Sequence, residues 1–160
     1  MALAEMLTEW ARSRGDGVVE LDPDGGIQLL LDDGMTVDIG PTDEDESFSM
    51  TAAVGPLPED GRSAVMEELL MANLVGLGTG GASLAIDAVS DEIVLCRVFH
   101  TDDLSPEIFE REFDRFVEVL RFWRERHDAG QLGRGAASRR LADDGTSPEP
   151  APDAPGLVRI

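Results

Sequence analysis

Apolar residues recur along this chain in two rhythms that trade places, first every third or fourth residue, then every second, and so on through three further exchanges. A helix brings every third or fourth side chain to one face and a strand every second. The alternation therefore predicts blocks of helix and strand sharing one core. Leu3, Met6, Leu7 and Trp10 stand at i, i+3, i+4 and i+7 and predict a helix over residues 2–14, stopped by Gly15 and Gly17. Two readings of its stripe are open: wholly core, or partly left for a ligand. Val18-Val19-Glu20-Leu21 is a candidate short lead-in strand. Ile27 to Leu31, the turn Asp32-Asp33-Gly34, and Met35, Val37 and Ile39 alternating with Thr36 and Asp38 predict a hairpin. An acidic stretch, Asp43-Glu44-Asp45-Glu46, fits a solvated loop. Phe48, Met50, Ala52 and Val54 predict a third strand, closed by Gly55-Pro56. Short connections make these three an antiparallel meander.

The segment 60–75 is the most demanding. Val65, Met66, Leu69, Leu70, Met71, Ala72, Leu74 and Val75 cover more than one narrow stripe of a helix. One sheet covers only one side, so a second partner, another copy of the chain, is expected on the other. Gly76, Gly78, Gly80 and Gly81 break this helix. Leu84, Ile86 and Ala88 predict a fourth strand, and Ile93 to Phe99 a fifth. That last strand is apolar on both faces apart from Arg97, so it is expected to be interior and covered on both sides. Ser105 and Pro106 open a third helix running to about residue 127, with Ile108, Phe109, Phe113, Phe116, Val117, Leu120 and Trp123 as its stripe. The expected class is α+β, an antiparallel five-stranded sheet with three helices in the order α-β-β-β-α-β-β-α. Residues 1–127 form the domain. Residues 128–160 hold four of the nine prolines and no aromatic, and are expected to be a flexible tail.

Charge and rare residues narrow the function. The 160 residues carry 13 basic and 33 acidic side chains, a net −20, and every base is Arg. Such a balance disfavours nucleic acid and anionic membrane surfaces, which need clustered cations. It favours a basic partner and solubility. A single Cys96 leaves no internal disulfide and no cysteine zinc site, which fits a reducing cytoplasm. The first residues lack a basic n-region and apolar core, and no apolar run is long enough to span a bilayer.

Catalytic machinery is not evident. His100 and His127 lie in different elements, with no metal-ligand spacing. Cys96 sits mid-strand between Val94 and Val98 and is expected to be a buried small hydrophobe rather than a nucleophile. Gly76-Leu77-Gly78-Thr79-Gly80-Gly81 follows a helix and precedes a strand, the reverse of a dinucleotide loop, and has no Lys to cradle phosphate. No catalytic residue, metal site or cofactor is therefore assigned. The inventory points to apolar surface instead. A small enzyme with an acidic pocket is one alternative to a binding protein.

Residues 67–87 read Glu-Glu-Leu-Leu-Met-Ala-Asn-Leu-Val-Gly-Leu-Gly-Thr-Gly-Gly-Ala-Ser-Leu-Ala-Ile-Asp. A leucine-rich helix ending in Ala72-Asn73, a glycine-rich joint, and a strand Leu84-Ala85-Ile86-Asp87 resemble the signature of class I type III secretion chaperones, the CesT/Tir-chaperone family. The resemblance extends over residues 1–126. It departs from the family at Phe99-His100, where Leu-Pro is common, and in the length of the tail. The resemblance implies a cytoplasmic homodimer without ATPase activity. Such a dimer binds the N-terminal region of a secreted effector in extended form and keeps it secretion-competent. It implies a dimer contact on the second helix and the next strand, here Met66, Leu69, Leu70, Met71, Leu74, Leu84 and Ile86. It implies effector contacts on the first helix and the sheet, here Leu3, Met6, Leu7, Trp10, Leu29, Val94, Cys96 and Val98. A protein-interaction or regulatory module of the same fold, without secretion clients, is the other alternative.

Overall fold

A computed structural model describes residues 3–13, 21–42 and 47–134. The elements are α1 (Leu3–Ser13), β1 (Ile27–Leu30), β2 (Thr36–Pro41), β3 (Ser47–Pro56), α2 (Arg62–Ala72), a 3₁₀ turn at Leu74–Gly76, β4 (Ser83–Asp87), β5 (Glu92–His100), a second 3₁₀ turn at Thr101–Asp103 and α3 (Pro106–Asp128). The predicted order of three helices and five strands is the observed one. The lead-in strand at 18–21, the acidic loop 43–46 and most of the tail lie wholly or largely outside the described residues.

The sheet order is β1-β2-β3-β5-β4, antiparallel throughout. Strand alternation sends Val37, Ile39, Phe48, Met50, Ala52, Val54, Leu84, Ile93, Leu95 and Phe99 to one face, where all are buried. The helices cover that face. α3 lies over β3, α1 packs against α3, and α2 packs against β4. Phe109, Phe113, Phe116, Val117, Leu120 and Trp123 of α3 form the central seam of this core. Trp10 closes it from α1, edge-on to Phe109 at 5.1 Å and to Phe113 at 5.3 Å between ring centroids. Ser105 caps α3: its Oγ accepts from the Ile108 N–H at 3.3 Å, with Pro106 in the first turn.

Arginines fasten the helices to the sheet. Arg97 of β5 pairs with Glu112 of α3 at 2.7 Å, both side chains mostly buried. This explains the one charge in the otherwise apolar run from Ile93 to Phe99. Arg121 of α3 reaches Asp33 in the β1–β2 turn at 2.7 Å. Arg62, at the start of α2, forks onto Asp91 in the β4–β5 turn at 2.9 and 2.6 Å. Arg126 of α3 pairs with Glu68 of α2.

A side chain at Gly55 is disfavoured for local reasons. It sits at φ 155° beside an irregularity in the β3–β5 pairing, and a Cβ there would stand 2.4 Å from the His127 ring. That ring's Nε2 lies 2.8 Å from the Pro56 carbonyl and ties the end of α3 to the end of β3. Residues 129–134, which composition places in the tail, fold back on α2. There the Gly133 N–H donates to Glu68 Oε2 at 2.6 Å, and Leu132 packs against the core.

Candidate interaction surfaces

α2 is entered through Gly61, whose φ of 69° supplies the left-handed step before Arg62, and the helix turns Val65 and Leu69 inward. Because its apolar residues are not confined to one stripe, burying that pair leaves others outside. Met66 and Met71 are partly open, Leu70 is 72 % exposed and Leu74 67 % exposed. A shallow apolar groove runs between Ser63, Met66, Glu67, Leu70, Met71 and Leu74. The helix then breaks earlier than the sequence predicts, at Asn73. Val75 adopts φ 51°, a conformation a β-branched residue avoids, and it projects into solvent with Leu77. The result is an apolar ridge from Met66 to Leu77. Exposed patches of this kind on a small protein mark contact sites.

The second surface is the far side of the sheet. Its middle row runs Gln28, Asp38, Thr51, Cys96, Ser83 across all five strands, as the strand registers require. Val94 lies between Ala53 and Ala85, and Val98 beside Ser49. Small neighbours leave Val94, Cys96 and Val98 standing as a low apolar stripe along β5, with Val98 55 % exposed. The expectation that β5 is covered on both faces holds within the protomer for one face only, because all three helices pack on that face and leave the other open. Towards β1 the same face turns acidic, in an open depression lined by Asp22, Asp24 and Asp38.

The residues assigned from sequence divide accordingly. Met66, Leu70, Met71 and Leu74 stand on the ridge. Leu69 and Leu84 are instead in the protomer's own core, and Ile86 is half-buried against it, because helix and strand periodicity turn all three towards the covered sheet face. Of the proposed effector contacts, Val94, Cys96 and Val98 share the open face. Met6, Leu7 and Trp10 are buried under α3, so within the protomer those residues of the first helix's stripe are core. Leu3 and Leu29 are half-buried against the same core.

Reactive chemistry is sparse on these surfaces. Burial pushes the Cys96 thiol above its ordinary value, so it stays protonated, and its Sγ lies 3.5 Å from the Ser83 carbonyl. The structure does bring Ser47 Oγ within 2.8 Å of His100 Nδ1, a cross-strand pair that sequence spacing did not reveal. Among the described residues no carboxylate joins it, as a nucleophilic triad would need. Nor is there, among them, a cluster of three or more His, Cys, Asp or Glu able to hold a metal ion. No described helix is long and apolar enough to cross a membrane.

Two open apolar surfaces on one small α+β protomer agree with a match over most of its length: the sequence model of the Tir chaperone protein (CesT) family fits residues 5–124. The chain belongs to the Tir chaperone family. A Chlamydia pneumoniae protein, CPj0713/CpB0740, is 26 % identical over 123 residues, covering 76 % of this chain and 92 % of that one. Among solved structures, the fold is similar to one in the HopA1–SchA chaperone–effector complex, with TM-score 0.63 and 19 % identity, covering 76 % of this chain and 91 % of that chain. It is also similar to one in the Yersinia pestis type III secretion chaperone SycH bound to a fragment of YscM2, with TM-score 0.62 and 18 % identity over 76 % and 99 % of the two chains. YbjN from E. coli, a proposed transcription regulator, shares the fold at TM-score 0.56 and 18 % identity over 80 % and 93 %. The three-helix, five-strand architecture is thus that of type III secretion chaperones, and the family and fold are those of chaperones rather than enzymes.

Proposed function

We propose that this Tir-family chain works as a homodimeric type III secretion chaperone in the bacterial cytoplasm. On this reading it holds the N-terminal segment of a secreted effector in extended form and keeps it soluble and secretion-competent. The observation that carries the reading is apolar surface left over after the core is complete. The ridge from Met66 to Leu77 suits a twin subunit, since a two-fold contact pairs one patch with itself. A standard interface of about 800 Å² per partner is within reach of one helix and its exit turn. The stripe of Val94, Cys96 and Val98, bordered by small residues, suits an extended client, whose ordering costs roughly 2–5 kcal/mol or more and so needs a long contact. The acidic flank at Asp22, Asp24 and Asp38 suits a client segment that carries basic residues.

Affinity capture of the full chain from its native lysate, followed by limited proteolysis, tests this. The expected result is a partner protected along an N-terminal segment and cleaved elsewhere. A partner bound through a folded domain favours the second reading, a regulatory interaction module. The fold shared with YbjN supports that alternative, while the net charge of −20 counts against direct DNA binding by it.

A further inference from the structure

Asn73, the last residue before the glycine-rich joint, makes an interaction that no periodic pattern requires. Its Nδ2 donates to the Leu84 carbonyl at 2.9 Å, and its Oδ1 accepts from the Leu84 N–H at 2.8 Å. Only one orientation of the carboxamide satisfies both bonds. The side chain is aimed by its own turn: the Gly76 N–H donates to the Asn73 carbonyl at 3.1 Å, and the Gly78 N–H to the Ala72 carbonyl at 3.0 Å.

β4 is the last strand of the sheet, so one of its sides faces away from β5. In an antiparallel pair, residues alternate between exchanging both backbone bonds with the neighbour and turning both groups outward. Leu84 lies opposite Leu95, and both its backbone groups meet Asn73, so it is an outward position. Ile86, two residues on, is the next. The carboxamide therefore stands where one peptide unit of an added strand would stand. Natural edges are guarded by charge, proline, bulges or covering elements. Here a single side chain does it, and leaves only Ile86 open in a five-residue strand.

We propose that Asn73 decides how two copies of this chain meet. It closes the middle of the β4 edge, so that the copies join through the side-chain ridge of α2 and its exit turn and not by pairing β4 with β4 into one continuous sheet. The inference rests on the homodimer reading above and deepens it. Two observations favour a second copy on the ridge rather than on the edge. Leu70 lies on the helix that Asn73 terminates and Leu74 on the turn directly after it, so the same clamp that shuts the edge fixes both parts of the ridge against β4. Two-fold pairing of β4 strands would need the backbone groups of Leu84 and Ile86 from both copies, and half of these are already engaged.

Amide hydrogen exchange and light scattering on the full chain, Asn73→Ala and Asn73→Asp test it. In the wild-type dimer the Leu84 amide is expected to be protected despite its edge position, with no Leu84–Ile86 amide contacts between protomers by isotope-filtered NMR. Asn73→Ala should speed Leu84 exchange by about tenfold, the equivalent of one lost hydrogen bond, and yield assemblies larger than a dimer as the edge opens. Asn73→Asp keeps the acceptor for the Leu84 N–H but turns a carboxylate oxygen towards the Leu84 carbonyl, so Leu84 protection should fall between that of wild type and of Asn73→Ala. Unchanged Leu84 exchange and unchanged size in Asn73→Ala would overturn the proposal. If that variant does not fold, the wild-type measurement decides: amide contacts between β4 strands in the dimer overturn this proposal alone. A wild-type monomer overturns the homodimer reading and this proposal with it.

Discussion

α1 and α2 are each eleven residues long and pack on the same side of the sheet, yet they end up in different relations to water. α1 is strongly amphipathic, and Met6, Leu7, Trp10 and Ala11 vanish under α3. α2 has apolar residues around most of its circumference and buries only Val65 and Leu69. A helix with a clean stripe declares what its own subunit can bury. A helix without one declares a surplus, and in this fold the surplus becomes the ridge. The lesson is about amount as well as pattern: α2 carries more apolar side chain than one sheet face accepts.

The sharpest break of this comparison is a pair of substitutions. Leu7→Ala removes a fully buried side chain and should cost about 2–5 kcal/mol of unfolding free energy, read by urea titration. A loss below about 0.5 kcal/mol, the range of surface changes, would return the α1 stripe to solvent and to a ligand. Leu70→Asp should do the reverse. The subunit fold is expected to hold, by circular dichroism, while the dimer dissociation constant by sedimentation rises about thirtyfold or more, as for a central contact. An unperturbed dimer would remove α2 from the interface.

What was legible in the sequence follows the same division. Periodic burial announces itself, so the order of eight elements and the seam of α3 could be read directly. The surplus on α2 was legible too. The sorting of its residues was not complete, because Leu69 and Leu84 differ from Leu70 and Leu74 only in which way a helix or strand happens to face. Contacts between residues far apart in sequence leave no rhythm at all. Nothing in the spacing of Asn73 and Leu84, of Gly55 and His127, or of Glu68 and Gly133 marks them as neighbours. Composition likewise gives no hint that, within the polar and glycine-rich residues 129–134, the Gly133 amide is held by Glu68 on α2. Arg97 looked like an exception in a buried strand until Glu112 supplied its partner.

The open sheet face offers a milder test. Cys96 is half-shielded and its thiol is raised by burial, so a maleimide should modify it more slowly than an unfolded control at pH 7. Bound client should slow it further if the stripe of Val94, Cys96 and Val98 is the client site. Equal rates with and without client would move that site elsewhere.

The smallest expected effect separates the two flanks electrostatically. On the β1–β2 side, the hydrogen bond from Arg121 holds the Asp33 carboxyl below the usual carboxylate range. On the α2 side, the hydrogen bond from Arg62 does the same for Asp91. A carboxyl depressed in the folded state contributes stability that is present above its unfolded value of about 3.9 and is lost as pH falls through the lower folded value. Arg121→Ala and Arg62→Ala should therefore each be slightly less stable than wild type at neutral pH and converge with it in acid. Both pairs are open to solvent, so each difference should also shrink as salt is added. The ridge makes the two variants unequal in one respect. Arg62 anchors the start of α2 to the β4–β5 turn, so Arg62→Ala should also weaken dimerisation, whereas Arg121→Ala should not. Equal dimer affinities in the two variants would mean that α2 holds its place without the Arg62–Asp91 fork, leaving Asn73, Glu68 and the buried Val65 and Leu69 to position the ridge.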